Sequence, residues 1–579
     1  MRAKNYIAYI TILTVIITAV CGCRSDGKDL SSGDAGSSAS GIFSTDDVMY
    51  ADSDGDSRYA IVRPDNASAD VTGAATAVFS AMKNSLGLRS KNILDSVSDG
   101  SDAYEILIGE TNRPESTAAR DYFEQNFAAR TGEFFICTVG KKICIIAVGD
   151  EAYKNAAGYF CENYLKSGTV TGGIFYNHNV EGDFADITVN GTNIKYYRIV
   201  RQHFNGSYLT QMEIEKLVSA INEITGYEIP VVDDEYSDES DFEILIGNTN
   251  RGSRKYDSRD QYEIAVDGTK VTINGGSYYA TALGVSELTR LIENSAITSG
   301  DSYLGSYAET VSGYDRSKYY TPTWYDDFDG DTIDTSKWRV VGSGESVYSG
   351  QHGKICDRSD EPDVIYVRDG CFNIAAKLDE QFYYGGMMRT DTTMDYRYGF
   401  IEYSAKLPEG EGYWITLWMC GNEEGSILSP EIDVNESFGD SRVIAANCHS
   451  WPTSIGTKMG YEHTSLDNEY GNRKRYYCPD DKKFSDGFHT FGFLWTKSEM
   501  TFTCDGKAYF SYDITTTPED IECFNHKMFL ILSMIAGAGD SPYDIEKMTP
   551  EQWQNTNKFM TDNIYLYQLS DGVSELNVH

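Results

Sequence analysis

The spacing of apolar and polar positions changes character along this chain. In the N-terminal half, helically spaced stretches alternate with short apolar runs. "TQMEIEKLVSAINEITG" (Thr210–Gly226) sets Met212, Ile214, Leu217, Ile221 and Ile224 at roughly helical spacing and predicts a helix. "ATALGVSELTRLIEN" (Ala280–Asn294) predicts a second one. Runs such as "YAIVR" (Tyr59–Arg63) and "EILIG" (Glu105–Gly109) predict short buried strands, and hairpins are expected to turn at Gly140 and Gly268. After about residue 310 the texture becomes short alternating runs separated by Gly, Asp and Asn: "GFIEYSAKL", "GYWITLWMC", "RVIAANCHSW", "HTFGFLWT", "KMFLILSMIAG". In "MTFTCDGKAYFSY", Asp505-Gly506 is a strong hairpin signal between β-formers. Many short strands with little helix predict a β-sandwich.

The first half repeats itself. "EILIGETNR" (Glu105–Arg113) returns as "EILIGNTNR" (Glu243–Arg251), and "YAIVR" returns as "YRIVR" (Tyr197–Arg201). The hairpin "EFFICTVGKKICIIAVG" (Glu133–Gly149) is echoed by "QYEIAVDGTKVTINGG" (Gln261–Gly276). Strand, helix, strand, hairpin and helix recur in that order, which predicts a small α/β sandwich made twice. The pattern resembles the non-catalytic domain ahead of the barrel in some hexosaminidases and α-glucuronidases. The chain is therefore expected to be multidomain: residues 1–23 a signal, 24–50 a tether, 51–185 and 186–310 the α/β repeats, and 311–579 an all-β domain. The repeats contain no acid cluster, metal spacing or phosphate loop, and no aromatic row stands out on them, so a spacer is the default expectation, with glycan binding and docking on the sandwich as the alternatives. "DSDGDS" (Asp52–Ser57) lacks the distal Glu of a calcium loop and reads as a solvated turn. Cys137 and Cys144 flank the hairpin turn at matching distances, as a disulfide or as buried free thiols. Their counterparts, Ala265 and Thr272, show that the unit does not need the sulfurs.

Composition narrows the partners. With a net charge of −39 over 579 residues, nucleic acid and anionic headgroups would be repelled, whereas a neutral polymer would not. Aromatics at 13%, with 42 Tyr, suit β-structure and stacking on flat ligands. Arg2 and Lys4 precede the mostly apolar run Ile7–Val20, the layout of a signal peptide and too short to span a membrane as a helix. "VCGC" (Val20–Cys23) resembles the lipobox of bacterial lipoproteins, which implies lipidation of Cys23, an exported protein on the bacterial cell surface and membrane contact through that anchor alone. Simple cleavage and release is the alternative. The following Ser/Gly-rich stretch reads as a flexible tether. The 12 cysteines are too sparse for a disulfide scaffold, and none forms a CxxC pair.

The chemistry is concentrated in "SPEIDVNESFG" (Ser429–Gly439). Side chains alternate along a strand, so Glu431 and Asp433 share one face while Ile432 and Val434 take the other. Glu436 is one residue out of step, and a β-bulge near Val434–Asn435 would return it to the acidic face. Like charges gathered on one face raise at least one pKa. A carboxylate beside a protonated carboxyl is what glycoside cleavage requires. The two Glu Cα atoms would stand ~13 Å apart at about 3.3 Å per residue, so their side chains must lean together over Asp433.

"EIDVNE" fits the E-[I/L]-D-x-x-E signature of glycoside hydrolase family 16 (the bulged, laminarinase-like subgroup), which the last 260 or so residues resemble. "DDFDGDTIDTSKW", "YRYGFIEYSAKLPEGEGYWITLWM", "FHTFGFLWT", "CDGKAYF" and "TDNIYLYQ" carry the resemblance as well. It implies a concanavalin-like jelly-roll sandwich and a retaining endo-glycosidase. Glu431 would be the nucleophile, Glu436 the acid/base, and Asp433 a hydrogen-bond partner of Glu431. It further implies His449 near the acid/base, Trp414 as a stacking surface, and Arg389 at a minus-side sugar; Trp418 shares that face by parity or belongs to the core. A structural calcium is implied at Asp327 and Asp562, with no other cofactor required. "GSILSP" replaces the Trp and Gly common just before the signature, which puts substrate preference in question. The expected substrate is β-1,3- or mixed β-1,3/1,4-glucan, cut by a monomer. The alternatives are the same chemistry on another polymer such as a β-galactan, or a non-catalytic glycan-binding surface protein, against which both retained glutamates argue.

Overall fold

The computed structural model describes residues 16–18, 42–97, 102–252, 261–293, 300–304, 308–311, 321–341, 355–356, 363–378, 383–421, 424–466, 474–536, 548–554, 557–568 and 575–579. Cys23 and most of the expected signal and tether lie outside them. Among the described residues no helix is long and apolar enough to cross a membrane.

Two six-stranded mixed sheets have the same internal order: two parallel strands on one side of the "EILI" strand, an antiparallel hairpin on the other. The duplicated motif has a physical cause. Glu105 is buried and receives Arg113 Nε and Lys142 Nζ, each at 3.0 Å. Glu243 receives Arg251 at 2.5 Å and Arg198 at 2.7 Å. Asp95 and Asp234 accept the backbone N–H of Asn112 and Asn250 at 2.8 Å. The Glu and Arg of "EILIGxTNR" thus hold strand and following loop together in both copies.

The helices at Tyr208–Thr225 and Tyr278–Glu293 match the periodicity. A further helix, Pro114–Asn126, was not expected; it buries only Ser116, Ala119 and Phe123, too sparse a stripe to read. The tether boundary at residue 50 also needs correction. Asp47–Met49 pairs with Thr169–Thr171, and Val48 and Tyr50 are buried, because this segment supplies apolar cover for the first sheet. Cys137 and Cys144 stand directly opposite as buried free thiols. Asp52 Oδ1 accepts the backbone N–H groups of Asp54 and Asp56 at 2.9 Å, so "DSDGDS" is a self-bonded turn.

From Thr321 onward two eight-stranded antiparallel sheets face each other. Their core contains Ile401, Tyr403 and Ala405 from the back sheet and Ile415, Leu417, Met419, Ile432 and Val434 from the sheet that carries the acids. Alternation sends Phe400, Glu402, Ser404, Tyr565 and Tyr567 out through the back. That surface is not open. Phe400, Tyr565 and Tyr567 join the core of the second α/β unit with Leu209, Tyr279 and Leu283.

Glu402, 1% exposed, accepts Ser207 Oγ–H at 2.7 Å and Tyr208 N–H at 2.8 Å. Ser207 also caps the Tyr208–Thr225 helix by accepting Thr210 N–H, so the sandwich supplies a carboxylate to that helix's positive end. Asn205 N–H to Asp505 (2.8 Å) and Lys507 to Asp233 (2.9 Å) continue the seam. The second repeat is thus a backing fixed to the sandwich, the docking alternative rather than the default of a free spacer. A cavity of about 570 Å³ remains at the junction, lined in part by Arg201, Asn205, Asp327, Asp505 and Asp562.

Candidate active site

The acid strand is Leu428–Ser437, flanked by a tryptophan strand (Tyr413–Cys420) and a histidine strand (Val443–Pro452). Its pairing slips between Asp433 and Glu436 on the histidine side, and between Leu417 and Trp418 on the other. Val434 and Asn435 both turn inward there. Val434 packs in the core, and Asn435 accepts a hydrogen bond from Tyr403 of the opposite sheet. Glu436 therefore rejoins the outer face, opposite Thr416 and Ala445. The bulge lies where the long gap in the sequence puts it.

Each glutamate is gripped by an indole. Trp414 Nε1–H donates to Glu436 Oε1, and Trp451 Nε1–H donates to Glu431 Oε2, both at 3.0 Å. Glu436 is 3% exposed, and Trp451 at 41% is open to solvent. Burial raises the Glu431 pKa above its ordinary value, against the opposing pull of His449 and the Trp451 N–H.

His449 stands across from Glu431 in the register. Its Nε2 lies 3.2 Å from Asp433 Oδ2 and 4.0 Å from Glu431 Oε1. One oxygen each from Glu431 and Asp433 and one ring nitrogen of His449 fall within 4.8 Å of one another. This moves His449 from the acid/base, where the resemblance put it, to the Glu431 end. The register decides this, since Glu436 pairs with Ala445 instead.

Trp418 stands opposite Asp433 and floors the site, donating to Ser533 Oγ at 3.1 Å among Val341, Met387 and Ile531. It is buried, which limits it to a supporting wall. Arg389 lies on the same sheet, two strands beyond, and pairs with Asp391 at 3.1 Å. Asp327 and Asp562 are far from this group, on the back, in the lining of the junction cavity. Asp327 accepts the Tyr565 hydroxyl at 2.5 Å. Among the described residues neither aspartate joins a group of three His, Cys, Asp or Glu side chains close enough to share one ion.

Sequence reasoning missed Trp451 and His463. Trp451 was within reach, two residues beyond His449 in "CHSW" and so on the same face. His463 immediately precedes a separate short strand, Thr464–Ser465, whose pairing with the histidine strand nothing local announces.

Residues 356–562 match the family described as Glycosyl hydrolases family 16. The C-terminal region is a family 16 domain. Among curated relatives, the chain is 24% identical over 242 residues to glucan endo-1,3-beta-glucosidase A1 of Niallia circulans, covering 37% of this chain and 33% of that protein. It is 30% identical over 175 residues to endo-1,3-1,4-beta-glycanase ExsH of Rhizobium meliloti, covering 30% and 32%. The chain thus spans about a third of the length of these relatives. A solved laminarinase catalytic domain from Thermotoga petrophila aligns with 43% of this chain and 98% of its own, at 26% identity and a TM-score of 0.34. In the family 16 domain, the acid strand and its bulge lie within the matched residues.

Proposed function

We propose that this protein is a retaining endo-glycoside hydrolase that cleaves β-1,3- or mixed β-1,3/1,4-glucan. The observation that carries the reading is the bulge, which brings Glu431, Asp433 and Glu436 to one face of the sheet with an indole N–H on each glutamate. In the first step the Glu431 carboxylate attacks the anomeric carbon while the Glu436 carboxyl protonates the departing glycosidic oxygen, leaving a glycosyl ester on Glu431. Glu436, now ionised, takes a proton from water, and the hydroxide equivalent displaces Glu431 with net retention. Trp451 N–H orients Glu431 and favours its ionised form. Asp433 and His449 set the local charge beside it, and Trp414 offers a stacking surface next to Glu436.

Support for glucan comes from relatives named for β-1,3 and β-1,3-1,4 linkages. A second reading, the same chemistry on another polymer such as a β-galactan, rests on the lead-in to the acid strand, where "GSILSP" (Gly425–Pro430) stands in place of the usual Trp and Gly. There Pro430 packs against Gly421, so closely that a Cβ on Gly421 would meet it at 2.9 Å. Export with a lipid on Cys23 completes the proposal and would hold the enzyme at the cell surface.

The test is product analysis on a panel of β-glucans and galactans, with the anomeric configuration followed by NMR. Retained configuration is expected, and inverted product refutes the double displacement. Glu431→Ala should abolish hydrolysis, with azide restoring glycosyl transfer in place of the missing carboxylate.

A further inference from the structure

His463 lies where two supports of the site meet. Its ring stacks on Trp451, with centroids 3.6 Å apart and planes at 10°. Its Nε2 lies 3.1 Å from His449 Nδ1. Trp451 holds Glu431 and His449 faces Asp433, so both arms that reach the nucleophile's end lean on this one imidazole.

The partners fix where the protons go. Asn447 Oδ1 accepts Cys448 N–H at 3.0 Å, which turns Asn447 Nδ2 toward His449 Nε2, also at 3.0 Å. Nε2 of His449 thus meets the Asn447 donor at 3.0 Å and the Asp433 oxygen at 3.2 Å; where Asn447 donates, Nε2 is bare and the proton of neutral His449 sits on Nδ1, pointing at His463. When His449 gains a second proton it arrives at Nε2, against Asp433. Two imidazolium rings cannot face each other nitrogen to nitrogen, so the pair carries at most one positive charge. His463 fits the neutral role: burial, then the charge of His449, hold its pKa below the ordinary 6.5. Among the described residues, the ionisable groups facing His449 include Glu431 and Asp433 from the acid strand and His463 from the other side.

We infer that His463 is a positioning residue: its Nε2 accepts the Nδ1–H of His449 in both protonation states, so that His449 exchanges its proton only at Nε2, beside Asp433. The kinetic consequence rests on the hydrolase reading; the proton placement does not.

The full chain with ¹⁵N-labelled histidine tests it by NMR. Neutral His449 should carry its proton on Nδ1 in the wild type and switch to Nε2 in His463→Phe, which keeps the stack on Trp451 and removes the nitrogen. The His449 pKa should fall, because its charged form loses an acceptor. In kinetics His463→Phe should lose about tenfold in kcat/KM, the worth of one hydrogen bond, with the limb belonging to His449 moved to lower pH. His463→Gln, whose Oε1 can still accept, should restore most of both. An Nε2–H tautomer in the wild type, or no switch in His463→Phe, overturns the assignment. Equal losses in both variants with an unmoved pH profile overturn the positioning role. A wild type inert on every polysaccharide would sink the hydrolase reading and leave the tautomer result to decide this one.

Discussion

The seam between the second repeat and the sandwich makes a prediction whose size can be worked out. Ser207 does two jobs, capping the Tyr208–Thr225 helix and donating to the buried Glu402. Ser207→Ala loses the cap, worth about 1 kcal/mol, and a hydrogen bond to a carboxylate, worth about 1.5–3 kcal/mol. The expected cost is about 2.5–4 kcal/mol. All 7 tryptophans lie at Trp324 or beyond, so urea unfolding followed by Trp fluorescence reads the sandwich alone.

Burial is the largest influence on Glu402 and pushes its pKa up to about 7, outweighing its two donors. The folded state thus binds the proton more tightly than the unfolded chain. This contribution is complete below the ordinary Glu value of 4.5 and is lost as pH rises through about 7. Over that window wild type should lose about 3 kcal/mol relative to Glu402→Gln, which has no proton to bind. The Ser207→Ala cost should be larger at pH about 8, where the acceptor is charged, than at pH about 5. A double-mutant cycle isolates the pair. A Ser207→Ala cost below about 0.5 kcal/mol, or no coupling to residue 402, would refute the seam as a structural joint.

Other consequences are as direct. Trp451→Phe removes a donor to ionised Glu431, so the acid limb of kcat/KM should move up by about 0.4–1 pH unit, read from a pH–rate profile. Tyr403→Phe strips the partner from buried Asn435 in the bulge and should cost about 1–3 kcal/mol by denaturant titration, with activity falling as Glu436 loosens. Glu243→Ala leaves Arg251 and Arg198 facing an empty site and should cost about 3–5 kcal/mol in the stability of the second repeat. Removing residues 24–310 uncovers Phe400, Tyr565 and Tyr567, and the remainder should be found in the insoluble fraction; a soluble, active fragment would contradict the shared core.

The bulge could be read before any coordinates because parity along a strand is strict: one surplus residue between Asp433 and Glu436 has few other outlets. The main helices were legible for a similar reason, since Leu217 and Ile221 report a period. Glu402 was not, because in "GFIEYSAK" it alternates with core residues just as a solvent-facing acid would. Only the arrival of Ser207 from another part of the chain buries it. His463 was hidden by the same kind of distance. It reaches His449 through a pairing that follows a short helix, Ser454–Lys458, and nothing in its neighbours marks it as part of the site.

The shared core behind the sandwich has a bearing on how the polypeptide is made. Synthesis runs from the N-terminus, so the second repeat emerges from the ribosome before the strands carrying Phe400, Tyr565 and Tyr567. The sticky back of the sandwich therefore appears only after its cover is already available. That order lets an aromatic sheet face be completed without an interval in which it must stay soluble alone.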